Sequence, residues 1–188
     1  MENIEPLVIG FGGKIGSGKT TIAQTICLEF NYKYASFGDY VRKIAINKGL
    51  DIKNRENLQK VGNLLIDGGV EKFCRNVLDS VKWNPGETLV IEGIRHKEVL
   101  HCLKDLTYKD RFIFVLITLD DDVRKKRIKN LDKEEFHKLD FLEKDRTEME
   151  IQKDLQSCAD IVVINETEPS KVITSLMGRI GKKYSGRC

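Results

Sequence analysis

The sequence predicts an α/β layered fold on a five-stranded parallel sheet, from three observations. β-rich runs alternate with apolar residues at helical spacing from end to end. The longest apolar stretch, Phe112 to Ile117, is uninterrupted, as suits a central strand covered on both faces. A glycine-rich segment separates the first strand from the first helix. The 188 residues suffice for one ordinary domain, and no internal repeat, low-complexity segment or linker divides them. A single domain over residues 1–188 is the expectation.

The elements follow in order. Leu7 to Phe11 reads as a strand, and Ile22, Ile26 and Phe30 then recur at i, i+4, i+8 on a helix. Tyr32 to Phe37 reads as a second strand, after which Asp39 is placed to cap a helix carrying Val41, Ile44 and Ala45. Arg55 to Ile66 gathers Leu58, Val61, Leu64 and Leu65 on one helical face, and Val70 to Val81 repeats the pattern with Phe73, Val77 and Val81. The turn Asn84-Pro85-Gly86 delivers the chain into a third strand, Thr88 to Ile91. A helix from Lys97 to Leu106 precedes the fourth strand, Arg111 to Leu119, and Asp120 to Ile128 is helical again. Ile161 to Ile164 forms the last strand, and Pro169 opens a terminal helix near its first position.

Composition excludes several classes. Hydrophobic residues make up 40% and charged residues 32%, enough apolar surface to fold and too much for a disordered tail. The net charge is only +3, which gives bulk attraction to nucleic acid little support, although the basic run Arg179 to Arg187 leaves a local patch. No apolar run approaches the ~20 residues that span a bilayer, and Glu2 and Glu5 stand where a signal peptide wants positive charge. A cytoplasmic protein is expected. Cys27, Cys74, Cys102, Cys158 and Cys188 include no Cys-x-x-Cys and read as reduced thiols. His96, His101 and His137 are scattered, and Trp83 beside its turn reads as packing.

Gly13-Lys14-Ile15-Gly16-Ser17-Gly18-Lys19-Thr20 satisfies G-x-x-x-x-G-K-[ST] between a strand and a helix. Glycines let the backbone curl so that successive N–H groups point at phosphate oxygens, and the helix beginning near Gly18 adds its positive end. Lys19 would reach the β- and γ-phosphates of ATP and the Thr20 hydroxyl would meet Mg²⁺, with Thr21 following in the same run. The base-reading N-K-x-D of a GTPase is absent. A motor or AAA-type ATPase usually has a longer domain, so size favours a phosphotransferase. Two further constellations supply a second substrate's site. Asp39 and Arg42 share a helix face three residues apart, a cation for an acceptor's phosphate beside a carboxylate that could orient or deprotonate the attacking oxygen. Glu92 and Arg95 end the third strand, where ligands of open α/β sheets bind; Glu92 could hold Mg²⁺ and Arg95 the acceptor phosphate.

Gly13 to Thr20, then Gly38, Asp39 and Arg42, then Glu92 to Arg95, resemble adenylate kinase and related nucleoside monophosphate kinases. Through Arg55-Glu56-Asn57-Leu58 and the run Ala159 to Asn165, the chain looks most like an archaeal-type branch of nucleotide kinase-like proteins, over roughly residues 7–166. Dephospho-CoA kinase is similar in the glycine-rich loop and in an Asp after the second strand, where Asp39 would be the base. The resemblance implies a three-layer P-loop NTPase fold with acceptor-binding helices at about 38–82 and a short lid at about 129–147. It further implies that lid arginines, with Arg127 and Arg146 as candidates, stabilise the phosphoryl group in transfer. Phe136, Leu139 and Leu142 would give the lid a small apolar seam. Three departures stand out: Glu92 replaces the usual Asp, the Pro before the acceptor arginine is absent, and Lys14 charges the loop.

The expected activity is ATP- and Mg²⁺-dependent transfer of a γ-phosphoryl group to a ribo- or deoxynucleoside monophosphate by a monomer or homodimer. Dephospho-CoA as acceptor and a nucleotide-gated binding module are the alternatives.

Overall fold

The computed structural model describes residues 6–107, 111–131 and 154–185. Five strands form one sheet: β1 (Val8–Gly12), β2 (Lys33–Ser36), β3 (Leu89–Ile94), β4 (Phe112–Thr118) and β5 (Ile161–Ile164). Their order is β2-β3-β1-β4-β5, and every pairing is parallel, as the alternation of strands and helices predicts. The described helices are α1 (Lys19–Phe30), α2 (Phe37–Asn47), α3 (Arg55–Asp67), α4 (Val70–Ser80), α5 (Lys97–Leu106), α6 (Asp121–Leu131) and α7 (Pro169–Ser185).

Strand alternation explains the layers. Side chains at i and i+2 share a face, so Leu89 and Ile91 of β3 join Val8, Phe112, Phe114 and Leu116 on one side of the sheet. There they meet Phe73, Cys74 and Val77 of α4 and Val99, Leu100 and Leu103 of α5. The intervening residues Ile9, Phe11, Val90, Ile113 and Val115 face the other side, against Ile22, Ala23 and Ile26 of α1 and Val172, Ile173 and Leu176 of α7. A central strand must therefore be apolar at every position, and β1 and all but the last residue of β4 are buried. Burying each large side chain stabilises by roughly 1.5–3 kcal/mol.

Boundaries differ from the sequence expectation in instructive ways. Phe37 belongs to α2, because the Ser36 hydroxyl caps that helix by accepting from the Asp39 amide at 3.2 Å. Asp39 is thus a first-turn residue and not the cap. In α3, Val61 is buried but Leu64 is 61% exposed, so the four apolar residues do not form one covered stripe. Trp83 packs against the core with its indole donating to the Glu87 carbonyl at 3.0 Å, as expected. Cys27 and Cys74 are buried, and burial pushes the Cys27 thiol up to about 11. Among the described residues no helix is long and apolar enough to cross a membrane. The lid expected at about 129–147, with Arg146, Phe136, Leu139, Leu142 and His137, lies outside the described residues except for the end of α6.

Asp160 locks the start of β5. Its carboxylate accepts from the Phe114 amide at 2.9 Å and from Lys183 of α7, while its own amide donates to the Phe114 carbonyl at 2.9 Å. Burial alone would raise this carboxyl, but donation from Lys183 and the Phe114 amide outweighs it and holds the pKa below the usual aspartate value. A depressed carboxyl stabilises the fold above its unfolded pKa of ~3.9 and loses that contribution as pH falls through its folded value. At pH 7, Asp160→Ala should lower the unfolding free energy by about 1–3 kcal/mol, because the Phe114 N–H loses its partner. In urea titrations the gap from the unmodified chain should narrow below about pH 4.

Candidate active site

The parallel sheet sets the C-terminal ends of β1 and β3 side by side, with Gly12 opposite Ile94. The loop of residues 13–18 and the segment Glu92 to Arg95 therefore open on the same edge. Register slips between Phe11 and Gly12, and Gly93 is the extra residue on β3, at φ +86°. That left-handed conformation suits glycine, and it lets β3 swing against the start of α2, where Phe37 Cβ lies 3.4 Å from the position a Gly93 Cβ would take.

Glu92 is the centre of the edge. It is only 6% exposed, and a carboxylate there needs donors. Ser36 Oγ donates to Oε1 at 2.7 Å, the Tyr34 hydroxyl to the same oxygen at 3.4 Å, and Thr20 Oγ1 to Oε2 at 3.2 Å. The two expected metal-binding residues, Thr20 and Glu92, are thus in contact. Burial, with the nearby Glu92 charge, pushes the Tyr34 phenol up, so it stays a proton donor.

Lys19 is 9% exposed, its ammonium donating to the Lys14 carbonyl at 3.3 Å across the loop. Thr21 is exposed at the start of α1. Gly18, at φ +87°, caps α1, and a Cβ on it would run into the Asn165 amide. Ser17 is 1% exposed, and its hydroxyl has no hydrogen-bond partner among the described residues. A buried hydroxyl without a partner, beside a lysine and a helix N-terminus, fits a loop shaped for an anion.

One cavity of about 240 Å³ collects most of the remaining candidates: Lys19 and Thr20, Asp39 and Arg42 of α2, Glu92 before the bulge and Arg95 after it all line it. Asp39 and Arg42 form an ion pair at 2.7 Å, both half-exposed or more. Three lining groups on α3 were not picked out as site residues in the sequence: Arg55, Gln59 and Asn63 recur every fourth residue and all face the cavity. That polar i, i+4, i+8 stripe was the available signal. His96 also lines the cavity. Apart from His96, the walls carry four cations (Lys19, Arg42, Arg55, Arg95) against two carboxylates (Asp39, Glu92), a balance that suits an anionic ligand.

The far side of the loop is built differently. The Lys14 ammonium pairs with Asp121 at the start of α6 at 3.1 Å. Asp121 also accepts from Nε of Arg124 at 3.1 Å. Arg124 is 1% exposed and donates through Nη1 to the Ile15 carbonyl at 3.1 Å. Arg127 donates to the Asn165 carbonyl at 3.1 Å, and the Asn165 side-chain amide donates to the Ser17 carbonyl at 2.8 Å. Arg127 is therefore beside the loop, while Arg146 lies outside the described residues.

A family model described as an AAA domain matches residues 9–158. The chain belongs to this family, AAA_18. Length argues against an AAA-type ATPase, yet the family that matches carries the AAA description. Among curated proteins, this AAA_18 chain is 27% identical over 128 residues to an adenylate kinase of Wolbachia pipientis subsp. Culex pipiens, covering 66% of this chain and 59% of that protein. It is 29% identical over 87 residues to a cytidylate kinase of Methanosphaera stadtmanae, covering 46% and 47%. The chain thus spans about half to three-fifths of the length of these relatives. A shikimate kinase from Aquifex aeolicus shares the fold, with a TM-score of 0.58 at 18% identity over 96% of this chain and 99% of that one. The three-layer P-loop architecture read from the sequence is the one this chain has.

Ser36 carries two loads, the cap of α2 and the shortest bond to Glu92. Ser36→Ala should cost about 1–3 kcal/mol in urea unfolding at pH 7. A value near zero would mean that water replaces both bonds.

Proposed function

We propose that this protein is an ATP-dependent kinase that transfers a γ-phosphoryl group to a nucleoside or deoxynucleoside monophosphate. One observation carries the reading: a single cavity is lined both by phosphate-loop residues, Lys19 and Thr20, and by three arginines from other elements, Arg42, Arg55 and Arg95. A hydrolase or a mechanical ATPase needs no second cluster of cations facing its loop, whereas an acceptor that already bears a phosphate does. Relatives named adenylate kinase and cytidylate kinase support the same acceptor class.

Phosphoryl transfer depends on positioning and on neutralising charge more than on covalent chemistry from the protein. Lys19 and the loop amides of Gly13 to Gly18 would hold the donor's phosphates. Arg42 and Arg95 would bind the acceptor's phosphate, with Arg55 closing the third side. Asp39, held by Arg42 at 2.7 Å, would orient the attacking oxygen. Thr20 and Glu92 offer a hydroxyl and a carboxylate 3.2 Å apart, hard oxygens of the kind Mg²⁺ takes, and few protein ligands suffice for an ion that keeps most of its water. The ion would supply charge neutralisation on the phosphates. The acceptor helices at about 38–82 and a lid at about 129–147 with Arg127 and Arg146 complete this reading; closure would exclude water and so suppress hydrolysis.

The test measures ADP release with ATP, Mg²⁺ and a panel of ribo- and deoxynucleoside monophosphates plus dephospho-CoA. At least one monophosphate should stimulate release well above the basal rate, and Lys19→Ala should abolish that stimulation by ~10²-fold or more. Stimulation by dephospho-CoA alone, lost in Asp39→Asn through turnover and not through substrate KM, would replace the acceptor assignment. ATP hydrolysis unaffected by any acceptor would refute the kinase reading.

A further inference from the structure

The phosphate loop is pinned from outside by two buried side chains that belong to neither the loop nor the acceptor cavity. Arg124 of α6 holds the Ile15 carbonyl at 3.1 Å, and Asn165, just past β5, holds the Ser17 carbonyl at 2.8 Å. Both donors are almost wholly buried, at 1% and 5% exposure, so water competes little for either bond.

A peptide unit is planar and trans, so its C=O and N–H point in opposite directions, and no cis peptide occurs among the described residues. The Ile15 carbonyl and the Gly16 N–H share one unit, and the Ser17 carbonyl and the Gly18 N–H share another. Fixing each carbonyl toward α6 or toward the residue after β5 aims the paired N–H the opposite way, away from those anchors. Packing agrees with this geometry. A Cβ on Gly16 would lie 2.6 Å from Ile128 of α6, and one on Gly18 would meet the Asn165 amide, so both glycines face their anchors closely. Both adopt left-handed conformations, at φ +76° and +87°, as a nest of anion-directed amides needs.

We propose that Arg124 and Asn165 are positioning residues that preset the Gly16 and Gly18 amides for a polyphosphate. The inference rests on the reading of the loop as an ATP site. Asp121 supports Arg124 by accepting its Nε, and Arg127 supports Asn165 by donating to its carbonyl. α6 and the segment after β5 are thereby joined through the loop they orient.

The experiment uses the full chain and ADP as probe, with binding read by calorimetry and the Gly16 and Gly18 amides by ¹⁵N–¹H correlation spectra. Two variants that leave net charge unchanged, Arg124→Lys and Asn165→Ala, separate orientation from Coulomb attraction. A lysine can meet the Ile15 carbonyl or Asp121 but lacks the guanidinium fork that reaches both. In the unmodified chain both amides should shift on adding ADP. In each folded variant the ADP Kd should weaken tenfold or more, while the Kd for a nucleoside monophosphate stays within twofold. Should Arg124→Lys fail to fold, the Gly16 shift in the unmodified chain and the Asn165→Ala affinity still decide. Unshifted amides despite ADP binding, unchanged ADP affinity in the variants, or an equal loss of both affinities would overturn the inference and leave the kinase reading standing. An unmodified chain that binds no ADP would overturn both.

Discussion

The site depends on one buried carboxylate. Glu92 lies in β3 near the C-terminal edge of the sheet, 6% exposed, in surroundings where an unpartnered charge costs several kcal/mol. Its three donors come from three places: Thr20 at the start of the loop helix, Tyr34 in β2, and Ser36 at the junction of β2 and α2. Satisfying Glu92 therefore brings the start of α1 and the start of α2 to one point. Ser36 extends the linkage, since the oxygen that donates to Glu92 also accepts the Asp39 amide and so starts the helix that bears Asp39 and Arg42.

A second set of constraints acts on the loop from behind. Lys14, Asp121, Arg124 and the Ile15 carbonyl form a ring between the loop and the first turn of α6, with each bond near 3.1 Å. Asn165 and Arg127 form a shorter chain on the other flank. The charge of Lys14 is used against Asp121, which explains how a loop can carry a second lysine without crowding the site with cations. These contacts tie the loop to α6 and to the segment after β5.

Much of this was legible in the sequence because it is local. The strands announce themselves as short β-rich apolar runs, the uninterrupted one of β4 above all, and the glycine, lysine and hydroxyl spacing of Gly13 to Thr20 reports the loop directly. Glu92 and Arg95 are legible because strand ends at a sheet edge are where α/β ligands bind, Asp39 and Arg42 because their spacing puts them on one helix face, and the cavity brings the four together. What escaped is non-local. Arg124 is separated from Ile15 by 109 positions and Asn165 from Ser17 by 148, and a buried arginine on a charged helix looks like any solvated one. Phe37 reads as strand because, being apolar, it continues the pattern of β2, and the cap that Ser36 places on α2 is hidden with it. Arg55, Gln59 and Asn63 were hidden by attention to the apolar positions of α3, of which Leu64 turned out exposed.

In the proposed reaction donor and acceptor phosphates share one cavity, facing each other across Lys19, Glu92 and the arginines. That sharing is tested most directly by a bisubstrate analogue, two nucleosides joined through a polyphosphate long enough to fill both subsites, titrated against the full chain with ADP or a nucleoside monophosphate already bound. The account predicts one analogue per chain, displacing both ligands. An analogue that displaces ADP but leaves the monophosphate in place, or that binds twice per chain, would contradict it.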